Sequence, residues 1–328
     1  MVLTTTALFV SLLVSCCSAQ DTVSYGTVVD IAVGSPVHTT LVAAVQAAGL
    51  VETLSTQGPF TVFAPTNDAF AALGDATLTK YLEPQWNSHL QDILLYHVTP
   101  GSVPSCSLVL NQAVGMANGE NATISSLQPP MINDANIVTA DLYAGNGIVH
   151  VIDKVLLPFS ATHNVVTAAV ALPDIFSTLV DLVTSAGLVE TLQGPGPFTV
   201  FAPTNDAFAA LDPATVEYLV GNTDALVDIL LYHVYPGIVL QQDVQDGTVL
   251  DMANNETTTI TVTALSTLDA VMTKSNVTVV DAAVQGELEY FINDAKIVGA
   301  DVLVNNGVIH IIDSVLSYDA VVRKVRRN

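Results

Sequence analysis

Basic side chains are nearly missing from this sequence. Its 328 residues hold 8 Lys and Arg against 31 Asp and Glu, a formal charge of −23. Four of the eight, Arg323, Lys324, Arg326 and Arg327, sit together at the C-terminus, so the body is more acidic than the total suggests. A polyanion repels phosphate backbones, which argues against nucleic acid as a partner. Cysteine is scarce: Cys16, Cys17 and Cys106. Removal of a leader would leave Cys106 alone, excluding an intrachain disulfide and a Cys-rich metal site. Cys106 is expected to be buried as a small hydrophobe, though an exposed one could bridge two chains. Only 12% of residues are charged and half are apolar, which excludes a disordered chain. Catalytic signatures are missing as well: G-x-S-x-G, H-E-x-x-H, a P-loop, a dinucleotide glycine fingerprint and a spaced EF-hand loop. The expectation is no enzyme, no cofactor and no metal.

Long apolar runs are missing beyond the N-terminus. Residues 2–14 (VLTTTALFVSLLV) are uncharged and largely apolar, and CCSAQ follows. Cys17 and Ala19 are small enough for signal-peptidase cleavage before Gln20, so residues 1–19 read as a signal peptide. Residues 13–16 (LVSC) also look like a lipoprotein box, although no Lys or Arg precedes them. The run is short for a membrane span, so the protein is expected to be secreted and not membrane-spanning. Residues 319–328 form a basic tail, which no GPI signal would end with. Three N-x-S/T triplets, at Asn121, Asn255 and Asn276, agree with export as glycosylation sites.

What the sequence does contain is itself, twice. GPFTVFAPTNDAFAAL occupies residues 58–73 and recurs unchanged at 196–211. AGLVETL precedes both copies and DILLYHV follows both. NDANIV at 133 matches NDAKIV at 293, and NGIVHVIDKVL at 146 matches NGVIHIIDSVL at 306. The offset is 138 residues at the first block and 160 at the last, so the second copy carries an insertion of about two dozen residues, expected between about Asp243 and Glu289. A period this long means tandem domains and not a solenoid. The domains are expected at 21–158 and 162–318, with a junction inside LPFSATHN, residues 157–164, where Pro158 cannot continue a ladder.

Each copy reads as α+β. HTTLVAAVQAAGL and DIFSTLVDLVTSAGL space apolar residues for helices ending at Gly49 and Gly187. FTVFAP is a short strand stopped by Pro65 or Pro203, and Thr66, Asn67 and Asp68 offer cap oxygens to the next helix. Helices are expected over SHLQDILLY and DALVDILLY, then strands over NIVTADLYA and IVHVIDKVL around a tight turn at Asn146-Gly147, repeated at Asn306-Gly307. His97, His150, His233 and His310 lie in apolar runs and read as hydrogen-bonded structural histidines. Asp68 and Asp206, at helix starts, read as macrodipole partners.

These blocks together resemble the fasciclin (FAS1) domain. FTVFAPTNDAF is similar to its first motif, LLYHV to its Tyr-His motif, and NGIVHVIDKVL to its second motif. The resemblance implies two tandem domains, each a β-sandwich or wedge flanked by α-helices, in secreted adhesion and matrix proteins that are mostly not enzymes. It implies a cell-surface or extracellular-matrix protein or glycan as partner. It also implies an adhesion role for Tyr96, His97, Tyr232 and His233, for which core packing is the competing reading. Acidic Asp-Ile adhesion motifs are not reproduced, since Asp141-Leu142 and Asp301-Val302 stand in that region. Some acidic, glycosylated algal proteins with this domain bind carotenoids, so an apolar-ligand carrier is the alternative. N-terminal sequencing of exported protein should return Gln20 as its first residue; recovery of Met1 or of an acylated Cys16 would refute the signal peptide.

Overall fold

The computed structural model describes residues 26–56, 58–264 and 288–317. The expected leader and basic tail and the sequon at Asn276 lie outside the described residues. The chain divides between Pro158 and Phe159 into two compact units. Within the expected junction, Phe159–Thr162 forms a helical turn with Ser160 buried, and Asn164 caps the next helix, Val165–Ala171.

The first unit opens with the helices Val28–Val33, Thr39–Ala47 and Val51–Thr56, followed by β1 (Phe60–Pro65). Three more helices, Asn67–Ala72, Asp75–Leu82 and Asn87–Leu95, lead to β2 (Val98–Pro100). Then come β3 (Ala113–Gly115), β4 (Asn121–Leu127), β5 (Pro130–Ile132), β6 (Ala135–Ala144) and β7 (Gly147–Ile152). All seven strands form one sheet in the order β2-β1-β7-β6-β5-β4-β3. β1 and β7 run parallel, in register from Phe60 opposite Gly147 to Pro65 opposite Ile152; the remaining pairs are antiparallel. The sheet curls until its edges are bridged: the Ala117 N–H donates to the Val98 carbonyl at 2.7 Å, and Thr99 Oγ1 donates to the Gly115 carbonyl at 2.7 Å.

The second unit repeats this plan. Its strands are β8 (Phe198–Pro203), β9 (Val234–Tyr235), β10 (Thr248–Asp251), β11 (Thr257–Ala264), β12 (Leu288–Ile292), β13 (Ala295–Val304) and β14 (Gly307–Ile312). The sheet order is β10-β11-β12-β13-β14-β8-β9, with β8 and β14 parallel. Each unit is thus a seven-stranded sheet with flanking helices, the α+β class the sequence implies. Strand register narrows the insertion: Asn121 corresponds to Thr257 and Ile132 to Ile292, so the offset changes from 136 to 160 between β11 and β12.

The duplicated sixteen residues build the middle of each unit. A strand turns alternate side chains to opposite faces, and both faces of FTVFAP are covered. Phe201 enters the core inside the curled sheet with Ile260, Ile292 and Ile312. Val200 and Ala202 enter the core under the helices with Val165, Phe176 and Leu179. Phe63 is likewise fully buried, with Ile124, Ile132 and Ile152; burial of such a ring stabilises by about 2–3 kcal/mol. A strand covered on both sides has no use for a polar alternation, which is why the run is apolar apart from Thr61 and Thr199, whose buried hydroxyls donate to the Gly101 and Gly237 carbonyls. Thr66 and Thr204 then cap the following helices, accepting from the Ala69 and Ala207 N–H groups at 3.2 Å each.

Three sequence expectations change here. The cap oxygen comes from Thr66 alone, because Asn67 faces another helix: its Oδ1 accepts from the Thr40 N–H at 3.0 Å and its Nδ2 donates to the Pro36 carbonyl at 3.0 Å. The hairpin turns at Gly145 and Asn146, one residue earlier than expected, since Ala144 pairs with Gly147. Gly147 is instead the first residue of β7, and a Cβ there would lie 2.1 Å from the Phe60 carbonyl oxygen; at Gly307 the distance to the Phe198 oxygen would be 1.8 Å. The glycine is demanded by the close approach of β1, a long-range contact. Cys106 is exposed and not buried. It sits in the 3-10 turn Ser105–Ser107, whose first residue is fastened inward to Asp141 through its N–H at 2.8 Å, leaving Cys106 outward.

Gly147→Ala should therefore pry β1 from β7 and lower the stability of the first unit by roughly 3 kcal/mol, the upper range for overpacking. Urea denaturation of the full chain reads this as an earlier first transition; an unchanged midpoint would show that the strand crossing tolerates a methyl group.

Candidate functional site: the Tyr-His segments

Tyr96 and His97 follow directly on the helix Asn87–Leu95 and lead into β2; Tyr232 and His233 follow Thr223–Leu231 in the same way. The last four carbonyls of a helix have no intrahelical partner. His97 satisfies one of them, its Nδ1 lying 2.7 Å from the Ile93 oxygen. Its Nε2 receives the Leu156 N–H at 2.9 Å. A backbone N–H can only donate, so Nε2 is the unprotonated nitrogen and Nδ1 carries the hydrogen. His233 repeats this between Ile229, at 2.7 Å, and Leu316, at 2.9 Å. Both rings are buried, and desolvation pushes each pKa down to about 4, against a smaller upward pull from the helix carbonyl.

The tyrosines are equally enclosed, at 5% and 2% exposure. Tyr96 donates its hydroxyl to the Asn121 carbonyl at 3.1 Å and accepts from Asn133 Nδ2 at 3.0 Å. Tyr232 donates to the Thr257 carbonyl at 3.0 Å and accepts from Asn293 Nδ2 at 3.0 Å. Burial raises the Tyr96 pKa. Asn133 and Asn293 adopt the left-handed backbone that asparagine tolerates, φ 49° in both. The Tyr-His segment thereby joins a helix end, the β4 start and the β5–β6 turn into one node.

The other two histidines form a second node. The Asp141 N–H donates to His150 Nδ1 at 3.1 Å, so Nε2 carries the hydrogen and donates to the Val103 carbonyl at 2.9 Å. His310 does the same between Asp301, at 3.2 Å, and Val239, at 2.9 Å. Desolvation is again the chief reason both pKa values fall. Asp141 and Asp301 occupy bulges of β6 and β13 with φ of 60° and 56°. Their carboxylates accept backbone N–H groups of Ser105, at 2.8 Å, and Gln241, at 2.9 Å. The acids that stand where the family's adhesion motif would fall are turned toward their own loops.

The glycosylation candidates lie elsewhere. Asn121 is exposed at the first position of β4, and Asn255 is exposed in the β10–β11 turn with φ 65°. Since Asn121 corresponds to Thr257, the two sequons belong to the same hairpin of their respective units. Sequence reasoning missed Asn146 and Asn306 as side chains. Asn146 accepts the Val28 N–H at 2.8 Å and donates to the Leu54 carbonyl at 2.8 Å; Asn306 does the same for Val165, at 2.9 Å, and Leu192, at 2.8 Å. Their repetition ahead of glycine was visible but reads locally as a turn. Among the described residues, no three of His, Cys, Asp and Glu converge to hold a metal ion, and no helix is long and apolar enough to cross a membrane.

Two α+β units, each closed by its first and last strands and each carrying a buried Tyr-His node, define a tandem-domain protein built by duplication. The Fasciclin domain profile matches residues 36–158 and 174–318, and the chain belongs to that family. It is similar to Protein sll1483 of Synechocystis, 46% identical over 142 residues, which is 43% of this chain and 78% of that one. It is also similar to the transforming growth factor-beta-induced protein ig-h3 of Sus scrofa, 30% identical over 266 residues, covering 80% of this chain and 35% of that protein. Human periostin is 28% identical over 278 residues, covering 84% and 30%. The chain thus spans about a third of the length of the last two. A solved FAS1 domain pair from the insect cell adhesion molecule Fasciclin I aligns at 17% identity and TM-score 0.45, covering 85% of this chain and 96% of that one.

His97→Ala should cost the first unit about 2–4 kcal/mol, because the Leu156 N–H and the Ile93 carbonyl lose their partner and a cavity opens. The pH dependence identifies the cause. With a folded pKa of about 4 below an unfolded value near 6.5, the unfolded chain takes up the proton first. The neutral ring's contribution is complete above about pH 6.5 and declines as the pH falls to about 4, by about 3 kcal/mol in all. Unfolding free energies measured across that range should fall more steeply for the wild type than for His97→Ala. Parallel curves would remove the imidazole from the fold's accounts.

Proposed function

We propose that this is a secreted, extracellular adhesion or matrix-interaction protein, non-enzymatic, whose two FAS1 domains each present a contact surface to a cell-surface or matrix protein or glycan. The observation that carries the reading is the complete duplication: both copies retain every motif and both nodes. Because Tyr96, His97, Tyr232 and His233 are enclosed, contact falls to other surfaces, and the Tyr-His segments support them from within. Glycans on Asn121 and Asn255 would cover the same hairpin in each domain and leave the helical side open. A second contact tethered to the first sees an effective concentration of order mM, and avidity rises by roughly 10²–10⁴ without a new kind of contact.

The alternative, a carrier of an apolar, carotenoid-type ligand, is supported by a cavity of about 360 Å³ in the second unit, walled mostly by Leu, Val and Phe. A carrier gains only stoichiometry from duplication. Beads sparsely coated with the whole protein should therefore hold source cells or matrix far better than beads bearing either half at matched density. Equal retention by one half, together with a visible absorption band in the purified protein, would favour the carrier.

A further inference from the structure

The cavity that supports the carrier reading has a particular place in the fold. Leu182, Phe208, Val216, Leu219, Leu226 and Val315 line it, contributed by four helices and by the segment after β14. Val216 is 40% exposed, so the cavity reaches solvent. At the corresponding helix positions the first unit carries two buried aromatic residues. Tyr81 stands in the register of Leu219, and Trp86, in the N-cap position of Asn87–Leu95, meets Tyr81 edge-on with ring centroids 6.3 Å apart. Both rings are buried, and Lys80 Nζ lies 4.0 Å from the Trp86 ring centroid. In the second unit that N-cap position belongs to Asn222, whose side chain accepts the Ala225 N–H. The indole has no counterpart there, and the cavity remains.

The chain beyond the second unit has the chemistry to fill it. Leu316, 2% exposed, is held by His233, and its neighbour Val315 is already part of the wall. Residues 318–328 read YDAVVRKVRRN, with Tyr318, Val321, Val322 and Val325 among Arg323, Lys324, Arg326 and Arg327. Eleven residues reach roughly 35 Å when extended, far more than the cavity mouth requires. Exposed carboxylates stand next to lining residues in sequence: Asp181, Asp206, Asp212 and Glu217 beside Leu182, Asn205, Leu211 and Val216 respectively. Among the described residues of the second unit the one Lys or Arg is Lys296, which pairs with Glu289. In the first unit the chain after Leu156 runs on into the second unit, and the equivalent N-cap position carries the buried indole of Trp86.

We propose that residues 318–328 are the occupant of this cavity, the tyrosine and valines covering its apolar walls and the arginines and lysine pairing with the exposed carboxylates of the surrounding helices. Half of the protein's basic residues then neutralise the domain that carries them, and the second unit withdraws the cavity's apolar walls from water. Such a tail would also compete with any small apolar ligand, which separates this proposal from the carrier reading.

The test uses the full chain with the photo-crosslinking residue p-benzoyl-phenylalanine in place of Val322. Irradiation should join it to residues 205–230 of the same chain, in a product of monomer mass. The yield should fall several-fold in 1 M salt, where the screening length is about 3 Å. Crosslinks only to a second chain, or none at low salt, would overturn the proposal. A second measurement needs no unnatural residue. Deleting residues 318–328 should raise the affinity for Nile red about tenfold, equivalent to about 1.4 kcal/mol, and a synthetic 318–328 peptide should displace the dye. Equal dye binding by the full and shortened chains would likewise reject the tail as occupant.

Discussion

The parallel pairing of each domain's first strand with its last is the constraint on which everything else depends. β1 and β7 are separated by the helices and five intervening strands, and no other pair in the sheet is parallel. A parallel neighbour cannot be reached by a hairpin, so the crossover must be long. Here it contains three helices and five strands of the domain. Once the two strands are side by side, Asn146 lies against the N-terminus of Val28–Val33, His150 against the loop at Val103, and Leu156 against His97. The requirement for glycine at 147 and 307 follows from the same closeness.

The polar groups that hold this arrangement are buried histidines and half-buried asparagines. With Cys106 the one cysteine among the described residues, a domain with an apolar core still needs interactions that distinguish one packing from another. The neutral imidazoles serve this purpose because each joins one donor and one acceptor far apart in sequence. Asn67, Asn133 and Asn146 act similarly, each linking backbone groups of separate segments. Such groups are costly when unpaired, so any packing that leaves them without partners is disfavoured by about 1–3 kcal/mol for each. The histidines named for adhesion are thereby the residues least able to leave the interior.

The two copies are alike in this framework and differ at its margins. β11 and β12 flank the extra residues of the second unit, whereas β4 and β5 are joined by two. Trp86 in one unit corresponds to Asn222 in the other, where a cavity lies beside the segment leading to the basic tail. Duplication that preserves the core while altering helix ends and loops gives two related but unequal surfaces.

The sequence alone was enough for the duplication, the α+β class, the family resemblance and the helices over SHLQDILLY and DALVDILLY, because periodicity and repeated blocks are local properties of a chain. It was also enough for the capping threonines, whose partners lie three residues away. The tertiary structure decided the rest. Asn67 reads as a cap from its neighbours and proves to be a brace for another helix. Gly147 reads as a turn residue and proves to be the point where β1 crosses. Cys106 is apolar enough to be buried, yet the fastening of Ser105 to Asp141 turns it outward. In each case the deciding partner is 27 or more residues distant. Local propensity cannot register such a partner, since the contact exists only after the chain has closed on itself.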